Sequence, residues 1–120
     1  MSRSTKPTPA RSLPTRSRKA TMSMDAMARH ADEAVAVLKA MGSQHRLMLL
    51  CHLLGGERSV NELADALELA QSVVSQHLSL LRRDGLVAGR REGQSIYYDI
   101  RDERVRALMA KLFELFCVDD

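Results

Sequence analysis

The sequence predicts a mainly α-helical fold with one small β-hairpin, and three observations lead to this prediction. The chain has 120 residues, enough for one core of modest size. Hydrophobic residues make up 45% of it, but aromatic residues only 3%, so the core should be aliphatic. Apolar residues recur at spacings of three and four along most of the chain, and strictly alternate only over residues 96–100.

The first 22 residues differ in composition from the rest. They are rich in Ser, Thr, Pro and Arg and have almost no apolar side chains, so we expect a disordered basic tail. Residues 23–120 then form the folded domain. Six of the 18 basic residues lie in the tail and no acidic residue precedes Asp25, which leaves 12 basic and 15 acidic residues for the domain. The net charge of +3 therefore says little about the folded part.

Helical spacing and stop signals predict the first two helices. The first begins near Asp25 and ends at Gly42. Ser43 can cap the second, which ends before the two glycines at 55–56 and turns Cys51 inward.

Two shorter helices follow. Ser59 and Glu62 have the spacing of a capping box, in which each side chain binds the backbone N–H of the other, and this predicts a third helix to about Leu67. A fourth helix is predicted over residues 71–83, and the Asp-Gly pair at 84–85 suits its end.

A β-hairpin and a fifth helix complete the chain. Residues 86–91 and the alternating segment 96–100 form the strands, and the polar residues 92–95 form the turn. The last helix has an apolar stripe wider than one small domain should need, which implies a partner surface. Its members are Val105, Leu108, Met109, Leu112, Phe113, Leu115, Phe116 and Cys117.

The order helix, turn, helix, hairpin is that of a winged helix-turn-helix, a fold that reads double-stranded DNA. In the fourth helix, His77 falls on the inner face with apolar residues, whereas the outer face is small and hydrogen-bonding. Gln76 can pair with an adenine edge, and Arg83 can meet a phosphate or a guanine. The predicted DNA-binding residues are Gln71, Ser72, Ser75, Gln76, Ser79 and Arg83 on the helix, and Arg90, Arg91 and Gln94 on the wing.

Four stretches in this order resemble the ArsR/SmtB family of repressors. They are Ser-Gln-His-Arg-Leu at 43–47, Ser-Val-Asn-Glu-Leu at 59–63, Val-Ser-Gln-His-Leu at 74–78 and Arg-Asp-Gly-Leu-Val at 83–87. The resemblance covers about residues 30–117. It implies a homodimer built through helices 1 and 5, repression of a nearby operon, and release of operator DNA when an inducer reacts or binds. One departure is Ala70, where the family commonly has a capping Ser or Thr.

The resemblance also bears on metal sensing. Metal-sensing members use a Cys-x-Cys pair at the start of helix 3, where this chain has Ser-Val-Asn at 59–61. Others use carboxylates and histidines on helix 5, where this chain has Asp102 but Arg104, Leu115 and Val118 at the other positions. We therefore predict no metal site and no cofactor.

The cysteines match differently. Cys51 and Cys117 resemble the dithiol of the sulfide-responsive subgroup of this family, which implies that persulfides or polysulfides bridge the two thiols and release DNA. Peroxide-driven disulfide formation is a second possible input. Against this, free cysteines are often simply buried. Asp119 and Asp120, beside a helix C-terminus, should also disfavour a thiolate at Cys117.

Several classes of protein are disfavoured. No apolar run approaches the roughly 18 residues that span a bilayer, and no signal peptide is apparent, so we expect a cytoplasmic protein that does not bind membranes. No nucleophile, base and orienting group converge, which argues against an enzyme. Two alternatives stay open: a repressor that responds to another oxidant or small ligand, with structural cysteines, and a helical interaction module that does not bind DNA.

Overall fold

The structure, a computed structural model, describes residues 23–117. The predicted tail at 1–22 lies outside the described residues, as do Val118, Asp119 and Asp120. The elements, in chain order, are α1 (Met24–Met41), α2 (Gln44–Leu53), β1 (Arg58–Ser59), α3 (Val60–Leu67), α4 (Gln71–Arg83), β2 (Val87–Glu92), β3 (Ser95–Ile100) and α5 (Glu103–Cys117). The chain separates into two compact units, with the division inside α1 between Val35 and Ala36.

The helix ends follow from local capping, as predicted. The Ser43 hydroxyl accepts a hydrogen bond from the backbone N–H of Arg46 at the start of α2. At the start of α3 the capping box is complete: Ser59 Oγ accepts from the N–H of Glu62 at 3.0 Å, and the N–H of Ser59 donates to Glu62 Oε1 at 2.7 Å. The residue before α4, Ala70, makes no side-chain cap. Gly85 follows α4 with a positive φ of 81°, which glycine adopts without steric cost.

The predicted hairpin is confirmed and proves to be part of a larger sheet. Strands β2 and β3 pair antiparallel from Val87–Ile100 to Glu92–Ser95, so the turn holds two residues rather than the predicted four. The first of them, Gly93, has φ +64°, as the first position of a type II′ hairpin requires. The structure adds β1, which was not predicted, and gives the sheet order β1-β3-β2.

The wing is the hairpin formed by β2 and β3, and it requires a small residue at position 89. Gly89 lies opposite Tyr98 in the sheet, and a Cβ at this position would come within 3.0 Å of the tyrosine ring. The close approach lets Tyr98 fold over the backbone of β2 and remain 5% exposed.

The core of the unit that begins at Ala36 is aliphatic, as predicted. It contains fully buried leucines from α2, α3 and α4, together with Val105 and Met109 of α5 and Tyr98 and Ile100 of β3. Because α2 contacts both α4 and β3, close packing holds this helix from two sides.

Large apolar side chains remain exposed on α1 and on α5. In α1 they include Met27, Val35 and Leu38. In α5, Phe113 is 50% exposed and Leu115 66% exposed. Neither helix is apolar enough to cross a bilayer, and the same holds for every other helix in residues 23–117.

Candidate nucleic-acid interface and thiol groove

Helix α4 has one face in the core and one face in solvent. Val74, Leu78 and Leu81 are fully buried, which fixes the rotation of the helix about its axis. All six residues predicted to read DNA from this helix are exposed: Gln71, Ser72, Ser75, Gln76, Ser79 and Arg83. Arg83 has one weak ion pair, with its Nε 3.4 Å from Asp84 Oδ1, so its guanidinium can turn toward an anion.

A polar cleft joins the start of α4 to the tip of the wing. It has a volume of about 180 Å³ and brings together Gln71 and Ser75 of α4 and Gln94 of the wing. Ser59 and Asn61, at the start of α3, line its other side. Three of the nine predicted residues thus share one concave surface, which has hydrogen-bonding groups and no carboxylate in its lining.

The two wing arginines differ in their surroundings. Arg91 is exposed and forms no hydrogen bond or ion pair with any residue in the range 23–117. Arg90 is held by two glutamates: Nε and Nη2 each donate to the carboxylate of Glu57 at 2.8 Å, and Nη1 donates to Glu92. Its guanidinium also lies over the Tyr97 ring, 5.0 Å from the centroid. The sequence singled out Arg90 but not its partners.

His77 lies on the inner side of α4, as the periodicity predicted, and faces α2. Its ring meets that of His45 edge-on with the centroids 5.4 Å apart, and its buried Nδ1 has no hydrogen-bond partner. Burial, with help from Arg46 and His45, lowers the pKa of His77. His77 is therefore neutral at physiological pH and packs as part of the α2–α4 contact.

The two cysteines share a groove between α2 and α5. The groove has a volume of about 330 Å³, and its lining is apolar apart from the thiols. Cys51 comes from α2 and Cys117 from the end of α5; both are half-buried, and both are free thiols. Their neighbours in the groove are Leu47, Met48, Met109, Leu112, Phe113 and Phe116.

The groove changes the chemistry of Cys51. Burial raises the pKa of the Cys51 thiol, and the nearby Cys117 raises it further, because two thiolates would repel each other. Cys51 is therefore protonated at neutral pH. The second thiol thus influences the first electrostatically across the groove.

No group of three or more His, Cys, Asp and Glu residues within 23–117 is placed to hold a metal ion. The positions compared with metal ligands have other roles here. Ser59 caps α3, and Asp102 accepts hydrogen bonds from Arg104, which lower the pKa of its carboxyl.

Comparison with known proteins identifies the family. Residues 43–88, from the cap of α2 to the start of β2, match the arsR family of bacterial regulatory proteins. The transcriptional activator HlyU of Vibrio cholerae is 46% identical over 98 residues, which cover 82% of this chain and 91% of HlyU. The chain belongs to the ArsR family. It is a transcriptional regulator with a DNA-binding fold, and not an enzyme.

Solved structures of ArsR-family proteins share its architecture. Reduced HlyU from Vibrio cholerae superposes with a TM-score of 0.74 over 78% of this chain and 99% of HlyU, at 46% identity. The transcriptional repressor BigR from Xylella fastidiosa gives a TM-score of 0.75 over 79% of this chain and 97% of BigR, at 35% identity. A homodimeric winged helix-turn-helix DNA-binding domain from Mycobacterium bovis is 35% identical, with a TM-score of 0.66 over 79% of this chain and 88% of that domain. The predicted winged helix-turn-helix fold is confirmed.

Proposed function

We propose that this ArsR-family regulator is a homodimeric repressor that releases operator DNA when reactive sulfur species bridge Cys51 and Cys117. The observation that supports this best is the placement of both half-buried thiols in one groove between α2 and α5. Of the similar proteins, BigR is a repressor and HlyU an activator. We propose repression because loss of DNA binding is the simplest consequence of the change described below.

The exposed face of α4 and the wing support DNA binding. Short hydroxyls such as Ser72 and Ser75 allow the helix to approach base edges, and Gln76 can bind an adenine. Arg83 and Arg91 supply positive charge for phosphates, and Gln94 adds a contact at the wing tip. The buried face of α4 fixes the rotation of the helix, so that Ser72, Ser75 and Gln76 face solvent.

The exposed apolar residues of α1 and α5 support a homodimer. Large apolar side chains such as Leu115 and Phe116, 66% and 76% exposed, are costly to leave in water. A second copy of the chain would cover them, as the homodimeric state of the Mycobacterium bovis domain suggests. Two copies would present two α4 helices for half-sites roughly 34 Å apart, one turn of duplex.

The sulfur chemistry needs no oxidant besides the donor. The thiolate of one cysteine attacks the sulfane sulfur of a persulfide RSSH, the donor S–S bond breaks, and the thiol RSH leaves. The resulting cysteine persulfide is then attacked by the second thiol, which forms a disulfide and expels H2S. The two thiols lose two electrons, and the departing sulfur gains them. If the first cysteine carries two added sulfurs, the same attack leaves a trisulfide, which spans a wider gap than a disulfide.

The bridge would act on DNA binding through α2. Cys51 lies on α2, which also contacts α4, whereas Cys117 lies at the end of α5. Joining the two sulfurs would draw α5 and α2 together and shift the paired α4 helices from their half-site spacing. A coupling of about 1–3 kcal/mol is sufficient for a regulatory response.

Release of DNA on sulfur treatment is the decisive measurement. An operator duplex, obtained by selecting bound sequences from a random library with the reduced protein, is titrated before and after addition of sodium tetrasulfide. We expect wild type to lose affinity at least fivefold, and the Cys51→Ser and Cys117→Ser proteins to keep their affinity. Intact mass should show, in wild type, either the loss of two hydrogens that marks a disulfide or the added sulfur of a trisulfide, with recovery on reduction.

Two outcomes would contradict this function. If both serine variants release DNA as wild type does, the thiols are not the sensor, and the protein responds through another site while its cysteines are structural. If the reduced protein binds no duplex, the chain is an interaction module. Lys111→Gln, exposed on α5 and outside both the groove lining and the predicted DNA-binding residues, serves as the matched control for a single polar substitution.

A further inference from the structure

Three residues of the wing were predicted to bind DNA. Among residues 23–117, only Arg90 of these three has several side-chain partners. Its side chain starts on β2, passes over Tyr97 of β3, and ends at Glu57, just before β1. It therefore spans the whole sheet in the order β2, β3, β1. The bond to Glu57 joins residues 33 positions apart in the sequence.

We infer that Arg90 does not contact DNA but positions the wing relative to α4, through its bidentate bond to Glu57 and its bond to Glu92. This inference rests on the proposed DNA-binding function and assigns Arg90 a different role from Arg83, Arg91 and Gln94. Glu57 is then a positioning residue. It does not belong to the proposed DNA-binding surface on α4 and the wing, but it holds the wing in place beside that surface.

Charge supports this role. The guanidinium has one positive charge and its two partners have two negative charges, so the cluster is net negative and does not attract phosphate. Freeing Arg90 for DNA would also leave the Glu57 and Glu92 carboxylates unpaired beside the duplex. Its hydrogen bond keeps the pKa of Glu57 low, so this carboxylate stays charged into the acid range.

Geometry supports it as well. Side chains alternate along a strand, so Arg90 and Arg91 point to opposite faces of the hairpin. Arg90 faces Glu57 and the loop that leads into α3, whereas Arg91 is exposed and unpaired among residues 23–117. Since α3 contacts α4, the Arg90–Glu57 pair connects the wing to the helix-turn-helix. Exposed ion pairs are usually weak, but this one is bidentate and part of a network.

The test is a charge exchange measured on the selected operator duplex. We expect Arg90→Gln and Glu57→Gln each to weaken binding roughly threefold to tenfold, with the slope of log Kd against log salt unchanged. The variant Glu57→Arg with Arg90→Glu is made together with Glu92→Gln, so that the new glutamate does not face a second carboxylate. It should recover most of the wild-type affinity, because the pair with residue 57 re-forms with reversed ends. Arg91→Gln is the matched control and should reduce the salt slope by about one.

A direct contact predicts the opposite pattern, and any part of it would overturn the inference. In that case Glu57→Gln would strengthen binding by releasing Arg90, Arg90→Gln would reduce the salt slope as Arg91→Gln does, and the charge exchange would bind worst. Failure of the proposed function is distinguishable, because the wild-type protein would then show no duplex binding. Amide hydrogen exchange in β2 would still report the inference, since both single variants should speed it and the exchange variant should restore it.

Discussion

At the scale of single residues, Cys51 shows how position controls reactivity. The same thiol would be an ordinary cysteine on the surface of α2, but burial and the neighbouring Cys117 both raise its pKa. A thiol in this state reacts slowly with reagents that need a thiolate. In the proposed mechanism, Cys51 would therefore react with a sulfur atom that Cys117 already carries.

This environment predicts the pH dependence of alkylation at Cys51. The rate follows the thiolate fraction, so it should rise with pH through a midpoint above that of the same cysteine in urea-unfolded protein. In Cys117→Ser the midpoint should fall because the second thiolate is lost, but it should stay above the unfolded value because burial, the larger cause, persists. Iodoacetamide labelling resolved by peptide mass measures this, and an identical midpoint with and without Cys117 would contradict it.

Contacts between side chains that are distant in sequence are also the features that the sequence predicts least well. The outer face of α4 could be predicted because a helix places residues at 100° intervals, so buried leucines determine which serines face water. The partners of Arg90 could not, since nothing local links it to Glu57. The cysteine pair was singled out through family resemblance; its shared groove depends on how α5 packs, which periodicity does not specify.

At the scale of elements, the short helices depend on their ends. α3 has only eight residues, too few to be stable alone, and its complete capping box supplies two hydrogen bonds at the first turn. α4 begins without a side-chain cap, at Ala70, although the backbone there has the extended geometry of a cap residue, with φ −64° and ψ 144°.

The contrast between these two caps gives a stability prediction. Ser59→Ala should lower the free energy of unfolding by about 1 kcal/mol, and Ala70→Ser should raise it by roughly 0.5 kcal/mol because an unsatisfied N–H gains a partner. Urea denaturation measures both. Ser79→Ala, exposed in the middle of α4, controls for loss of a hydroxyl that caps nothing. Equal effects of Ser59→Ala and Ser79→Ala would show that the capping box contributes little.

Element boundaries were predictable wherever a cap or glycine marked them. α4 occupies residues 71–83 as predicted, and Gly42 follows the last residue of α1. β1 was missed because two residues are too few to show alternation, and Ser59 already had a role as a cap. The pairing of β1 depends on Tyr97 and Tyr98, which are distant in sequence.

At the scale of the whole molecule, the exposed apolar surface is the reason for proposing a homodimer. The stripe along the last helix was predicted to exceed the needs of one domain, and Leu115 is indeed 66% exposed. Because this side chain contributes nothing to the monomer core, it can be changed without unfolding the chain.

We expect sedimentation to give a dimer that Leu115→Glu weakens by more than roughly tenfold, since the carboxylate would be buried in the proposed apolar interface. Circular dichroism should stay unchanged. Lys111→Gln, on the same helix and equally accessible, should leave the dimer intact. A monomer at all concentrations for wild type, or a dimer unaffected by Leu115→Glu, would rule out an interface through this part of α5.

If the proposed sulfur bridge joins Cys51 and Cys117, the groove would also determine how long the response lasts. A bound ligand leaves when its concentration falls, but a covalent sulfur bridge persists until a reductant reaches it. Apolar walls formed by Leu112, Phe113 and Phe116 would slow entry of charged reductants. DNA binding would then recover only when a reductant reaches the sulfur bridge, and not as soon as the sulfur donor is removed.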